Sequence, residues 1–188
     1  TEETKEMLTR LLEWTAWTMT PPKPYSFFHI ALSLTGIAFA VCLAACLNRR
    51  GGSISRRLFF AGLILAVSEL YKQLFLTLAA HPGVYDWWYF PFQLCSVPMY
   101  LCLLLPFLPE SKRGALYAFL QDFSLLGGFL ALAEPSGLMH PYVTLTLHGF
   151  FWHFGLIFIG CSVFPSAGTN AHTETSAKSA DRHSMLPT

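Results

Sequence analysis

Five stretches of this chain are apolar and long enough to cross a lipid bilayer: residues 25–47, 58–80, 87–108, 115–133 and 142–164. A crossing needs roughly 20 predominantly apolar residues to cover the hydrocarbon core. Inside lipid no water meets an open backbone N–H or C=O, so each stretch must close its own hydrogen bonds as a helix. The expected fold is therefore all-α, a polytopic membrane helix bundle of about five transmembrane helices. Composition agrees. Only 12% of the 188 residues are charged and 53% are hydrophobic, against about a quarter charged in an ordinary soluble domain. A net charge of +1 gives no general attraction to nucleic acid, which is not an expected partner.

Three segments follow. Residues 1–24 form a leader, in which Met7, Leu8, Leu11, Trp14 and Thr18 keep helical spacing and Glu3, Glu6, Arg10 and Glu13 lie off that stripe. This reads as a short amphipathic helix in the headgroup zone, ended by Pro21, Pro22 and Pro24. Its four glutamates and lack of a continuous apolar core do not suit a signal peptide. Residues 25–165 form the transmembrane domain. Residues 166–188, rich in Ser, Thr and Ala and without an aromatic residue, cannot bury a core and are expected to be a disordered tail.

Loop charge supplies an orientation. Arg49, Arg50, Arg56 and Arg57 lie between the first two spans, and Lys112 and Arg113 between the third and fourth. Residues 81–86 and 134–141 contain no Lys or Arg. The basic loops are expected in the cytoplasm. Five spans then put the amino terminus outside and the tail inside, in an integral membrane protein of the cell membrane.

Ionisable residues within spans are costly and commonly face the bundle interior, where they often mark function. Glu69, Asp122 and His153 fall near mid-span, with Cys95 slightly outward and His148 more than a turn outward of His153. Gly62, Ala66, Glu69 and Gln73 share one stripe, and Gly149, His153, Leu156 and Gly160 another; small residues at these intervals allow close helix approach. Glu69 and His153 are thus expected to point inward, unless Lys72, one turn on, merely neutralises the carboxylate. In the third span Pro98 is expected to kink the helix and free the Leu94 carbonyl. On an ideal helix Cys95 shares a face with Pro98, Met99 and Cys102, and Gln93 shares the other with Ser96 and Tyr100. A thiol becomes a useful nucleophile beside a base, which an inward histidine supplies. Cys42, Cys46, Cys102 and Cys161 read as buried thiols. His29, His81 and His140, near span ends, read as hydrated side chains without a role. No zinc signature, phosphate-binding glycine loop or serine-hydrolase elbow occurs, and no cofactor or metal is expected.

The runs Ser68-Glu69-Leu70, Phe90-Pro91-Phe92-Gln93-Leu94-Cys95, Leu125-Leu126-Gly127-Gly128, Glu134-Pro135-Ser136-Gly137 and Phe150-Phe151-Trp152-His153-Phe154-Gly155 resemble bacterial YwaF-type membrane proteins related to the transmembrane protein 164 family. The resemblance implies a multi-pass helical protein with a eukaryotic relative regarded as a cysteine-dependent phospholipid acyltransferase. Carried over, Cys95 would hold the acyl group, His153 would be its base and Glu69 a buried orienting group. The chain departs from the bacterial pattern in having Gln93-Leu94-Cys95-Ser96 where His-Leu-Cys-Asp is common. The family also usually continues with further spans, so an open flank is expected, covered by partner helices or a second copy. Two other readings stand beside the enzyme acting on membrane lipids. One is a protein holding a small solute or proton on Glu69, Asp122, His148 and His153; the other is a non-catalytic accessory subunit whose polar groups lock its helices together.

Overall fold

The structure, a computed structural model, describes residues 2–82 and 84–184, with side chains described up to Phe164. It is a helix bundle; among the described residues the only extended pairing is one isolated bridge, Thr18 with Tyr142. The helices are α1 (Glu2–Glu13), α2 (Phe27–Arg49), α3 (Ile54–Phe75), α4 (Val97–Leu104), α5 (Glu110–Ala133) and α6 (Val143–Ser184). Five segments are long and apolar enough to cross a membrane: Phe27–Arg49, Ile54–Ala80, Trp87–Phe107, Glu110–Ala133 and Val143–Phe164. They match the five expected spans to within a few residues at each end.

Local chemistry sets the ends. Ser26 and Ser53 accept the backbone N–H of His29 and Arg56, capping α2 and α3. Between these helices Gly51 and Gly52 take φ of +73° and +96°, which a residue with a Cβ adopts only under strain. Pro165 has no N–H for the carbonyl of Cys161, four residues back. Asn48 of α2 donates to that carbonyl instead, at 3.4 Å. α6 runs as helix from Val143 through Ser184. Residues 185–188 of the expected tail lie outside the described residues.

α6 is the hub. It packs along α5, α2 and α3, and half of its membrane-length part is buried, against 17% for α2. Glycines bring the axes together. A Cβ at Gly128 would lie 2.6 Å from Ile157 Cγ1 and 3.1 Å from the His153 carbonyl oxygen, and one at Gly160 would meet Leu125 and the Gln121 carbonyl. Gly62 likewise lies against Cys102 and the Met99 carbonyl. The expected inward stripes of α3 and α6 are therefore real packing faces.

One detail differs from expectation. His29 is buried, 4% exposed, and does not meet solvent. Its Nδ1 accepts from the Tyr25 N–H at 3.2 Å, so Nε2 carries the proton and donates to Leu132 O at 3.0 Å. With the Tyr25 hydroxyl on Ala133 O, this clamps the start of α2 to the end of α5. α1 packs through Leu12, against Phe75, Leu76 and Leu145. Met7, Leu11 and Trp14 of the expected interfacial stripe are exposed, on an edge turned away from the bundle.

The third span is not one kinked helix. It runs as 3-10 turns at Trp87–Tyr89 and Leu94–Ser96, then α4, then a 3-10 turn at Leu105–Phe107. Pro98 sits in the first turn of α4, where a missing N–H costs nothing. The Leu94 carbonyl is not freed, since the Val97 N–H takes it.

Gly128 and Gly114 lie on the same helix in opposite surroundings, and nothing lies within 4 Å of a Cβ at Gly114. Gly128→Ala should destabilise the bundle by about 1–3 kcal/mol through overpacking. Gly114→Ala should stabilise it by up to about 1 kcal/mol through helix propensity. Thermal unfolding of the two variants in one detergent checks the opposite signs.

Candidate functional site

The break in the third span is where polar groups collect. Four carbonyls there lose a regular helical partner and find side chains instead. Gln93 Nε2 donates to Trp88 O at 2.5 Å and Gln73 Nε2 to Tyr89 O at 2.6 Å. The Tyr100 hydroxyl donates to Pro91 O at 2.9 Å, and Trp152 Nε1 to Cys95 O at 3.2 Å. The last bond ties the backbone of Cys95 to α6, one residue before His153.

Beside these bonds lies a cavity of about 90 Å³, lined among others by Glu69, Lys72, Gln93, Cys95, His148 and His153. Gly137, Leu138 and His140 of the α5–α6 connection complete its wall. That volume holds a few waters or a small reacting group; a whole acyl chain must lie outside it. Five of the six polar positions read from sequence therefore meet here. Asp122 does not. It is exposed on the outer side of α5, on a stripe with Ala118, Phe119, Leu126 and Phe129, and has no ion pair among the described residues. Gly128 and Gly160 fix the register that turns it outward.

Glu69 is 5% exposed. Its Oε1 lies 2.8 Å from Lys72 Nζ and accepts from Gln73 Nε2 at 2.7 Å. Through Gln73 the pair reaches Tyr89 O, so it braces the broken span against α3. The expected role of Glu69 as orienter of the imidazole is not what the geometry displays. His153 Nδ1 lies 2.7 Å from Gly149 O, which assigns the proton to Nδ1 and leaves the Nε2 lone pair as acceptor. A backbone carbonyl one turn back orients this histidine.

The Cys95 thiol donates to Gln93 Oε1 at 3.7 Å. The ideal-helix reading put these side chains on different faces; the 3-10 turn at Leu94–Ser96 brings them together. Among the described residues no hydrogen bond joins Cys95 to His153, although both line the cavity. His148 Nε2 is buried without a partner, a ring nitrogen beside a space that admits a donor. Sequence reasoning passed over Lys72, noted only as a neutraliser of Glu69. Its side chain is 14% exposed, and its signal was a second charge one turn from Glu69 in an apolar run.

His140 was read as hydrated and is instead half-buried at the rim. Tyr89 Oη lies 3.3 Å from its Nδ1. Burial pushes the imidazole below its ordinary 6.5, the Gly137 backbone opposes this and the Lys72 charge adds to it. Nearby, Ser136 donates to Glu134 through its N–H and its hydroxyl, holding that carboxyl below the usual range. For His140 the unfolded chain takes the proton first. Its contribution to stability is full above about pH 6.5 and falls as pH drops below that value. The unfolding midpoint in detergent should fall between pH 7.5 and 5.5, and fall less in His140→Gln. An unchanged slope in the variant would refute the assignment.

A family model described as TMEM164 family matches residues 24–176, most of the chain. No curated protein and no solved structure matches it significantly. The match spans all five membrane-length helices, the broken third span and the cavity, and the chain is an integral, multi-pass membrane protein that belongs to the TMEM164 family.

Proposed function

We propose that this chain is a membrane enzyme that moves an acyl group between lipids through a thioester on Cys95. The observation that carries the reading is the shared cavity. A thiol, an imidazole with its acceptor nitrogen free and a lysine–glutamate pair line one small space, with Trp152 tying the cysteine backbone beside His153.

The steps follow from the groups present. His153 Nε2 takes the Cys95 proton, and the thiolate attacks the ester carbonyl of an acyl lipid. The bond from carbonyl carbon to alcohol oxygen breaks, and the imidazolium protonates the leaving lysolipid. An acceptor lysolipid then gives its hydroxyl proton to His153 and attacks the thioester, and the cysteine sulfur departs and is reprotonated. Lys72 Nζ, held by Glu69, offers positive charge to the oxyanion of either addition step. Glu69 is a positioning residue here. His148 Nε2 is a partner for an entering hydroxyl. The Cys95–Gln93 contact must open first, which a rotation about χ1 accomplishes.

The solute or proton reading draws on the same polar groups, but Asp122 lies outside them and the core beyond the cavity is apolar. The accessory reading is favoured by the Glu69–Lys72–Gln73 brace, which ties two spans without chemistry. With the basic loops in the cytoplasm, the cavity, near the end of α3 and the start of α6, would face the non-cytoplasmic side of the cell membrane. The exposed Asp122 face of α5 suits contact with a partner helix or second copy, because a carboxylate toward hydrocarbon is costly.

The test uses the full chain in phosphatidylcholine vesicles containing a lysolipid and a phospholipid labelled in its acyl chain. Cys95→Ala should lower acyl transfer by on the order of a thousandfold or more, and His153→Gln by about 10²–10⁴-fold. Cys102→Ala should leave it within a few-fold. An acyl adduct released by hydroxylamine should appear on the wild type and vanish in Cys95→Ala. Full transfer by Cys95→Ala would sink the enzyme reading. A folded wild type that transfers nothing would favour the accessory role.

A further inference from the structure

A second site lies farther toward the start of α3, sharing no lining residue with the Cys95 cavity. α2 and α3 are consecutive spans, yet they scarcely touch along their lengths; each leans on α6 instead. The result is a groove of about 370 Å³ between them, floored by α6. Its walls include Phe39, Leu43 and Leu47 of α2 and Phe60 and Ile64 of α3, with Phe154 and Gly155 beneath. Phe39, Phe60 and Ile64 are more than half exposed, so the groove opens sideways toward hydrocarbon. It extends from Arg57 to Leu65 on α3, roughly 12 Å at 1.5 Å per residue. That approaches the depth of one leaflet, about half of the ~30 Å hydrocarbon core.

One charged group lines it, at one end. Arg57 donates through Nη1 to Asn48 Oδ1 at 2.6 Å, and Asn48 is itself fixed by the Cys161 carbonyl. The Arg57 Nε is buried and has no hydrogen-bond partner. Among the described residues no carboxylate pairs with this guanidinium. A cation held in place with an unused donor beside a hydrocarbon-lined slot calls for an anion carrying an apolar tail. The Nε edge of the fork is the one that grips two oxygens of a phosphate. Arg49, Arg50 and Arg56 are exposed on the adjoining loop and helix start, and no acidic residue lies between Asn48 and Arg57.

We propose that this groove is a binding site for an anionic phospholipid, with one acyl chain between α2 and α3 and the phosphate on Arg57. The bound lipid fills the space left by the splay and supplies the missing counter-charge. It seals the bundle where two neighbouring helices do not pack on each other, toward the other end of α3 from the thiol cavity.

The test compares full-length protein in mixed micelles holding dioleoylphosphatidylglycerol or dioleoylphosphatidylcholine, read by native mass spectrometry and by the unfolding midpoint. Wild type should retain the anionic lipid with about tenfold preference and unfold at higher temperature with it, as expected for a charge-assisted hydrogen bond. Arg57→Gln should reduce the preference to within about twofold. The triple variant Arg49→Gln, Arg50→Gln, Arg56→Gln should keep most of it. Ile64→Trp, which narrows the groove from an exposed wall and touches no charge, should lower retention of the anionic lipid and keep the fold. Inorganic phosphate alone should not shift the midpoint. The proposal falls if Arg57→Gln keeps the preference or if the triple variant alone abolishes it. It also falls if Ile64→Trp retains the lipid as well as wild type, or if free phosphate stabilises as strongly as the lipid.

Discussion

Everything in this bundle depends on how the peptide groups of residues 88–95 are satisfied in a medium without water. Helices close their own bonds; an interrupted span cannot, and in lipid each open carbonyl would cost several kcal/mol. Here the carbonyls of Trp88, Tyr89, Pro91 and Cys95 are each met by a side chain, respectively Gln93, Gln73, Tyr100 and Trp152. Two of these donors come from α3 and α6, so the interruption stands only because the whole bundle supports it. Irregular backbone at membrane depth is tolerated where it is buried in protein or lines a cavity. This segment lines one, through Trp88, Tyr89, Gln93 and Cys95.

The cavity is a consequence of that interruption. A regular helix through Cys95 would aim its thiol and the Gln93 amide along separate faces and offer its carbonyls to nobody outside. The 3-10 turn brings thiol and amide together and releases the Cys95 carbonyl to Trp152. The indole anchors α6 to the third span, and His153 follows in sequence. Glu69 and Lys72 arrive for a related reason, because Gln73 must reach Tyr89 O and thereby fixes the register of the turn before it. The polar cavity and the repair of the backbone are thus one arrangement, built in part from the same side chains.

Much of this was legible in the sequence, and the limits are physical. Span number and extent depend on hydrocarbon thickness, a constraint that acts on length and polarity only, so the five stretches translate almost directly into α2 to α6. The inward stripes of Gly62 and Glu69 and of His153 and Gly160 follow from small residues at helical spacing. The break did not. Pro91 and Pro98 both invite one, and the choice between a kink at Pro98 and a restart before it depends on donors 9 to 57 residues away: Tyr100 from Pro91, Gln73 from Tyr89, Trp152 from Cys95. Asp122 was misplaced because mid-span depth says nothing about azimuth, which the contacts of Gly128 and Gly160 decide. His29 was misjudged because its partners, Tyr25 and Leu132, are joined by a fold that its own neighbours do not announce.

The two halves of the membrane domain divide the work. Toward the Cys95 end the polar cavity interrupts the packing. Past it, Leu65, Met99, Cys102 and Leu156 begin a cluster that continues through Leu58, Leu105, Ile159 and Val163, each at most 3% exposed. A hydrated path across the bundle would have to dissolve that cluster, whose side chains each contribute about 1.5–3 kcal/mol when buried. The cavity is therefore a blind recess served from one leaflet, while Arg57, at the far end of the same α3 helix, faces the other. A helix carrying its buried carboxylate–ammonium pair near one end and its unpaired guanidinium near the other meets two different headgroup layers. The dry cluster keeps them separate.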